Sequence, residues 1–379
     1  MKAKVILWDF DGKGRSWLAN EAELLHIELL DYIEKDKSFN LSDIHHVDYL
    51  LISARNIPQS IAQQLASKGL WPQKVIVIGS SYSWAEHEDA ALFLMRESNT
   101  WTYRYTKYLM EAKQHDYVTC SVKGNISYIG SSKDNTIMAW MYVCQRNWSD
   151  KDMHIFYELA HKYYDIDDSK QGWFLDLGAN IGTTCIYFKK QVDPSVRILA
   201  FEPEKNNFRM LETNMRLNGL HEQDAILVNA GLSDKEEVAK IYIEENNPGA
   251  NSIIANQSTE SEEVKLIALD EYISEHDISL DSIKYIWLDT EGFEAVVLNG
   301  ARKLFSQRKV PLFMECNPAK WEKMGHYDML INFLKEHYTS YIVIQEYEVG
   351  KRVSYPIGRL EKDKKATSVF DQYDIFLLA

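Results

Sequence analysis

The sequence predicts an α/β protein: a mostly parallel, doubly wound sheet preceded by a small α/β N-terminal domain. Short apolar runs such as WFLDLG, RILAFEP and YIWLD alternate with stretches of helical period, the signature of strand–helix–strand units. Glycines stand where the strands give way to helices, as at Gly178 and Gly182. The chain has 379 residues, 45% hydrophobic and 26% charged, which is too long for one ordinary domain and ample for two cores.

Taken in order, residues 5–8 form a short apolar strand. Ser16 is placed to cap an amphipathic helix over 18–35. YLLIS at 49–53 is a second strand, 57–68 a helix stopped by Gly69, and VIVIG at 75–79 a third strand. This alternation implies a parallel sheet with right-handed crossovers. Two helical stretches follow within 81–120. Lys123-Gly124-Asn125 marks a hairpin between strands over 118–129, and a helix is expected over 151–164. We therefore divide the chain into a small Rossmann-like domain (1–80), a helical and hairpin connector (81–165) and a catalytic domain (166–379).

Within the last domain WFLDLG and RILAFEP are strands. A helix begins after Gly182, and a second runs from Glu204 to Asn218 until Gly219 ends it. AILVNAGL, KIYIEE, VKLIAL, YIWLD, PLFME, YIVIQEY and DIFLLA supply the remaining strands.

The totals exclude several classes. A formal charge of −14, from 42 basic and 56 acidic residues, repels polyanions on average, so no nucleic-acid partner is expected. No apolar run approaches the ~18 residues that would span a bilayer, so no membrane insertion is expected. MKAKVILWDFDGKG reaches Asp9 and Asp11 before any signal-like segment builds up, and reads as the first strand of a cytoplasmic protein. Cys120, Cys144, Cys185 and Cys316 show neither CxxC pairing nor His partners at metal spacing. They are expected to be reduced thiols, with no metal site.

The most informative segment is FLDLGANIG, residues 174–182. A strand runs into a turn with glycines at 178 and 182, where the backbone must bend sharply and admit a ligand. A pyrophosphate loop would read GxGxxG and leave a bare helix N-terminus. Here Asp176 ends the strand and puts negative charge where a dinucleotide would put phosphate. A ligand bearing an ammonium and a sulfonium, such as S-adenosylmethionine, suits that charge. Glu202 follows 26 residues later at the tip of the next strand, placed to bind ribose hydroxyls.

With those residues in view the chain resembles the FkbM-type methyltransferases, class I Rossmann-like enzymes that mostly O-methylate sugars and small natural products. The matching segments are FLDLGANIGTT, FEPEKNNFRMLETNMRLNG, LVNAGLSD, PGANSI, VKLIALDEYI and IWLDTEGFEAVVLNGA, in the family's order over about 170–315. The resemblance implies that Asp176, Gly178, Asn180, Gly182 and Thr183 frame the methionine end of S-adenosylmethionine. It places Glu202 with Pro203 at the ribose and Asn229 with Ala230 beside the adenine. The family often carries a His shortly after the glutamate of its fifth strand; here Glu315 is followed by Cys316, Asn317 and Pro318.

A hydroxyl acceptor must lose its proton during methyl transfer, so acids are expected at the C-terminal edge of the central strands. IWLDTEGFE delivers Asp289, Glu291 and Glu294 there. Asp289 is expected near the methyl group and Glu291 at the acceptor proton. Glu294 either touches the acceptor or fixes the loop as the next helix starts; capping and turn chemistry around Gly292 is the competing explanation for all three. Asn251 and Ser252, in the loop 247–252, together with Asn317 and His326, complete the expected acceptor wall. The competing reading makes His326 a helix-start residue in solvent and the loop a simple hairpin excursion.

The expected function is O-methylation of a hydroxyl on a sugar, glycan or small natural product. The alternatives are an inactive cofactor-binding, partner-docking protein and an N-methyltransferase acting on an amine. Asp9-Phe10-Asp11-Gly12 lacks the residues that would make it a phosphatase start. Self-association through the N-terminal domain is left open.

Overall fold

The computed structural model describes residues 3–9, 27–34, 47, 49–53, 75–78, 108, 111–112, 114–244, 251–253, 260–360 and 373–379. It divides into two compact units, residues 1–118 with 142–144, and residues 119–141 with 145–379.

The first unit holds a four-stranded sheet of β1 (Ala3–Asp9), β2 (Ile27–Glu34), β3 (Tyr49–Ser53) and β4 (Val75–Ile78), in the order β2-β1-β3-β4. All three pairings are parallel; those of β1 with β3 and of β3 with β4 were expected, that of β1 with β2 was not. Val5, Leu7, Leu50, Leu51 and Ile52 are fully buried, the continuous apolar pattern of a parallel sheet. The helix expected over 18–35 is corrected: residues 27–34 are strand β2, which pairs with β1 across a bulge at Val5/Ile6. The segment IELLDYIE fits both periods, because its apolar residues recur at spacings of two and three. The proposed helix start at Ser16, the helix 57–68 and most of 81–113 lie outside the described residues.

The chain continues with a hairpin of β5 (Tyr117–Val122) and β6 (Ile126–Ser131), turning where Lys123-Gly124-Asn125 predicts. Helices Ile137–Cys144 and Asp150–Tyr163 follow. The shorter one was not foreseen; the Asp134 carboxylate caps it by accepting from the N–H groups of Thr136, Ile137 and Met138.

The main sheet then forms from β7 (Trp173–Leu177), β8 (Arg197–Phe201) and β9 (Ala225–Val228). A separate three-stranded sheet follows, made of β10 (Gly231–Ser233), β11 (Glu237–Tyr242) and β12 (Ser261–Ala268). The main sheet resumes with β13 (Ile283–Leu288), β14 (Leu312–Cys316), β15 (Ser340–Val343), β16 (Tyr355–Pro356) and β17 (Tyr373–Leu378). Its order is β16-β15-β17-β14-β13-β7-β8-β9, parallel from β14 to β9, with β17 inserted antiparallel.

Two expected strands are shorter than their apolar runs. AILVNAGL breaks at Asn229-Ala230 into β9 and β10, which belong to different sheets. There the Asn229 amide donates to the carbonyls of Glu202 (2.9 Å) and Pro203 (3.1 Å) and bends the chain away. YIVIQEY leaves the sheet after Val343 and continues as helix Ile344–Glu348, because Ile344 and Tyr347 bury at helical spacing.

The sheet is covered on both faces. On one, Phe156 of helix Asp150–Tyr163 meets Phe188, Tyr285, Trp287, Phe313 and Phe376 at ring-centroid distances of 5.8–6.2 Å. On the other, Leu175, Leu177, Ile286 and Leu288 pack with Val297, Leu304, Leu330 and Leu334 of helices Glu294–Asn299, Arg302–Gln307 and Tyr327–His337. β7 is buried along its whole length. Successive strands spread from it first toward β9 and then, through β13, the other way. Ligands bind open sheets outside the strand ends at such a reversal. Among the described residues no helix is long and apolar enough to cross a membrane.

Candidate active site

A cleft of about 570 Å³, counted to its open mouth, lies at that reversal. Gly178 and Asn180 after β7, Glu202 and Pro203 after β8, Asp289 and Glu291 after β13, and Asn251 line it. All seven were expected at the site. Asp176, Gly182, Thr183, Asn229, Ala230, Ser252, Glu294, Asn317 and His326 were expected there too and lie outside this lining.

The turn after β7 is laced to its neighbours. The N–H groups of Gly178 and Ala179 donate to the Phe201 carbonyl at 3.2 and 2.8 Å. Gly178 has φ +104°, and a Cβ there would sit 1.8 Å from the carbonyl oxygen of Asp289. The glycine is therefore required by the close approach of β13, beyond its backbone angle. Asn180 is itself left-handed at φ +48°, and its N–H donates to Glu202 Oε2 at 2.8 Å. Glu202 Oε1 accepts from the Glu204 N–H at 2.9 Å. Each oxygen keeps a second lone pair for a ligand hydroxyl. Burial raises the Glu202 carboxyl to about 8.

Asp176 takes a different place from the one its motif suggests. It is fully buried beneath the turn, and Oδ2 accepts from the Cys185 N–H at 3.1 Å, tying the strand end to helix Thr183–Tyr187. Burial lifts its carboxyl to about 7. The expectation that its charge faces the ligand is corrected; Asp176 shapes the turn from below. Thr183 also faces inward, its carbonyl accepting from the Asn147 amide at 2.9 Å. Asn214 braces the same turn from helix Lys205–Leu217, donating to the carbonyls of Ile181 (2.8 Å) and Ile129 (3.0 Å).

On the opposite side the Asp289 N–H donates to the Leu177 carbonyl at 3.0 Å, pinning the end of β13 against β7. Glu291 and Gly292 turn the chain at φ +55° and +99°. Glu294 holds that turn from within: Oε1 accepts from the N–H groups of Thr290 (3.2 Å) and Gly292 (2.9 Å), and Oε2 from Trp321 Nε1 (2.7 Å). Glu294 is fully buried, so acceptor contact is corrected to the loop-fixing role. Asn317 likewise caps helix Pro318–Lys323, accepting from the Lys320 N–H at 3.0 Å. His326 precedes helix Tyr327–His337 and lies edge-on to Phe293 at 5.8 Å, half-buried behind that lining residue. Burial lowers its imidazole below the ordinary value.

Ser252 pairs its backbone with Tyr242 and donates to the Glu291 carbonyl at 3.2 Å, holding residues 251–253 against the turn. Asn251 accepts from the Glu244 N–H at 2.8 Å. Residues 245–250 of the expected loop lie outside the described residues.

Two participants were missed by sequence reasoning. Glu315, at the end of β14, brings a carboxylate oxygen within 4.8 Å of oxygens of both Asp289 and Glu291. Lys320 Nζ meets Glu291 Oε2 at 2.5 Å. Burial raises Asp289, Glu291 and Glu315 above the usual carboxylate range; Lys320 opposes this at all three. The adjacency of β13 and β14 was the available signal, since both strands end in acids. No spacing rule links Lys320 to Glu291.

This sheet order, with a glycine turn after its central strand and carboxylates at the neighbouring strand ends, defines a Rossmann-like domain of the class I methyltransferase type. Residues 176–341 match the family model described as the methyltransferase FkbM domain. Methyltransferase 1 of Beauveria bassiana (strain ARSEF 2860) is 29% identical over 160 residues, which are 37% of this chain and 62% of the relative. The chain thus spans less than two thirds of that relative's length. A solved methyltransferase FkbM from Methylobacillus flagellatus aligns over 99% of this chain and 90% of its own, with 13% identity and a TM-score of 0.36. An O-methyltransferase from Bacillus cereus aligns over 61% and 82%, with 8% identity and a TM-score of 0.34.

Proposed function

We propose that the chain is an S-adenosylmethionine-dependent methyltransferase acting on a hydroxyl of a sugar, glycan or small natural product. The observation that carries this reading is the pairing, across one cleft, of a hydrogen-bonding turn at Gly178–Glu202 with the acids Asp289 and Glu291. The residues fit the cofactor. Asn180 Oδ1 and Asn251 Nδ2 are buried without a partner among the described residues, an acceptor and a donor awaiting a polar ligand. Glu202 can accept from ribose hydroxyls, and the carboxylates opposite suit a sulfonium.

Bound there, the cofactor supplies an electrophilic methyl group for in-line displacement. The chain's own part is alignment and proton removal. The Gly178 and Asn180 turn fixes one reactant, and Asn251 and Phe293 narrow the space for the other. Glu291, at the cleft surface, receives the acceptor's proton as the new bond forms, because a neutral alcohol is a weak nucleophile near neutral pH. Asp289, just after β13 and with its carbonyl beside Gly178, orders the methyl-transfer edge. Asn229 and Ala230 act from outside the lining, by bending the chain at the adenine end.

An amine acceptor is the second reading, favoured by the excess of acids (Asp289, Glu291 and Glu315) over Lys320 at this edge. Calorimetry with S-adenosylmethionine, S-adenosylhomocysteine and NAD tests the cofactor. Cell extract incubated with labelled cofactor, followed by mass spectrometry, identifies the acceptor atom. Uptake of NAD with no heat from either sulfur compound would end both readings.

A further inference from the structure

Glu291 is an unusual place for a proton acceptor. It sits in left-handed backbone, half-buried, with Asp289 on its own turn, Glu294 behind it and Glu315 on the adjacent strand. Asp374, across from Glu315 in the β14–β17 register, adds negative charge at Asp289. Carboxylates crowded in this way favour the protonated form, and a protonated Glu291 could accept nothing.

Lys320 is the cation that meets it, and three features hold Lys320 in place. Its N–H is capped by Asn317. Its stem lies so close to Gly292 that a Cβ there would come within 2.8 Å of Lys320 Cδ. Its ammonium touches Glu291 at 2.5 Å, with both side chains mostly covered.

We propose that Lys320 is a positioning residue that keeps Glu291 ionised and turned into the cofactor cleft, so that the proton acceptor is ready before the methyl acceptor arrives. This rests on the methyltransferase reading and adds a residue to it. Without Lys320, Glu291 takes up a proton at neutral pH, and binding of a sulfonium drives that proton off again. S-adenosylhomocysteine, which has no such charge, does not.

The full chain and its Lys320→Met and Lys320→Arg variants are titrated with S-adenosylmethionine and S-adenosylhomocysteine from pH 6 to 9, in two buffers of different ionisation enthalpy. In Lys320→Met the affinity for S-adenosylmethionine is expected to climb more steeply with pH than in the native chain. The extra slope is up to about tenfold per pH unit, with matching extra proton release. Affinity for S-adenosylhomocysteine stays within about twofold, Lys320→Arg restores the native slope, and in a Glu291→Gln background Lys320→Met adds no slope. Equal losses for both ligands, or unchanged slopes, overturn the proposal while leaving the methyltransferase reading intact. Binding of neither ligand by the native chain overturns both. Should Lys320→Met not fold, Glu291→Gln alone decides: an unchanged slope supports the proposal, and a slope made shallower by this substitution overturns it, because Glu291 would then be exchanging a proton with Lys320 in place.

Discussion

The acids at the C-terminal ends of β7 and β8 and those at the C-terminal ends of β13 and β14 occupy matching ends of one sheet, and they are held in opposite ways. Asp176 and Glu202 are met by backbone N–H groups: Cys185 for the first, Asn180 and Glu204 for the second. Asp289, Glu291 and Glu315 face one another, with the Lys320 ammonium among them. Amide partners fix a carboxylate's position and leave it a structural part of the turn. Facing carboxylates hold charge and protons in a movable balance. On the proposed reading, one edge holds the ligand and the other exchanges a proton with it.

The largest effect should come from breaking the contact between the two edges. Gly178→Ala forces a Cβ onto the Asp289 carbonyl, a backbone group that cannot swing aside, at a φ that disfavours alanine. We expect cofactor affinity to fall by more than ~100-fold and stability by roughly 2–4 kcal/mol, read by calorimetry and thermal unfolding. A variant with native Tm and affinity would show that the edges are not joined there.

Next in size are Asp289→Asn and Glu291→Gln. Each should keep cofactor binding within a few-fold and lose turnover of the labelled acceptor by roughly 10²–10⁴. Full activity in both would remove the proton-handling edge from the comparison.

The glycine turn and the strand-end acids were legible because local rules govern them: a strand that stops at a glycine, and an acid at the next strand tip. Six of the seven lining residues anticipated follow strands or turns of that kind, and Asn251 came with the family pattern. What stayed hidden was direction. Asp176 and Glu202 look alike in sequence, yet the side chain of Asp176 points beneath the turn and that of Glu202 into the cleft. Glu294 and Asn317 read as ligand contacts because capping residues and binding residues share the same chemistry. Lys320 was invisible because its partner lies on another element. The strand β2 was mistaken for a helix because its apolar spacing fits both periods.

A smaller effect is expected at Glu202. In Glu202→Gln one side-chain terminus becomes a donor facing the N–H of Asn180 or Glu204, leaving a buried donor pair unmatched. The loss is about 1–3 kcal/mol, with a parallel fall of about tenfold or more in cofactor affinity. Unaltered affinity would show that the amide partners, and not the carboxylate, hold the ligand.

The smallest effect separates Asp176 from Glu202 most sharply. Burial raises the Asp176 carboxyl from 3.8 to about 7, so the folded chain holds this proton more tightly than the unfolded chain does. The stabilisation is complete below about pH 4 and is lost as pH rises through about 7. Asp176→Asn keeps an acceptor for the Cys185 N–H and cannot ionise. Its Tm without cofactor should therefore fall less between pH 5 and 8 than that of the native chain. The slope shrinks without vanishing, because Glu202, raised to about 8, still contributes in the same direction. Cofactor affinity should stay within a few-fold, since Asp176 does not line the cleft. A native pH slope together with a large loss of affinity would place Asp176 at the ligand after all, and would make the first edge as electrostatic as the second.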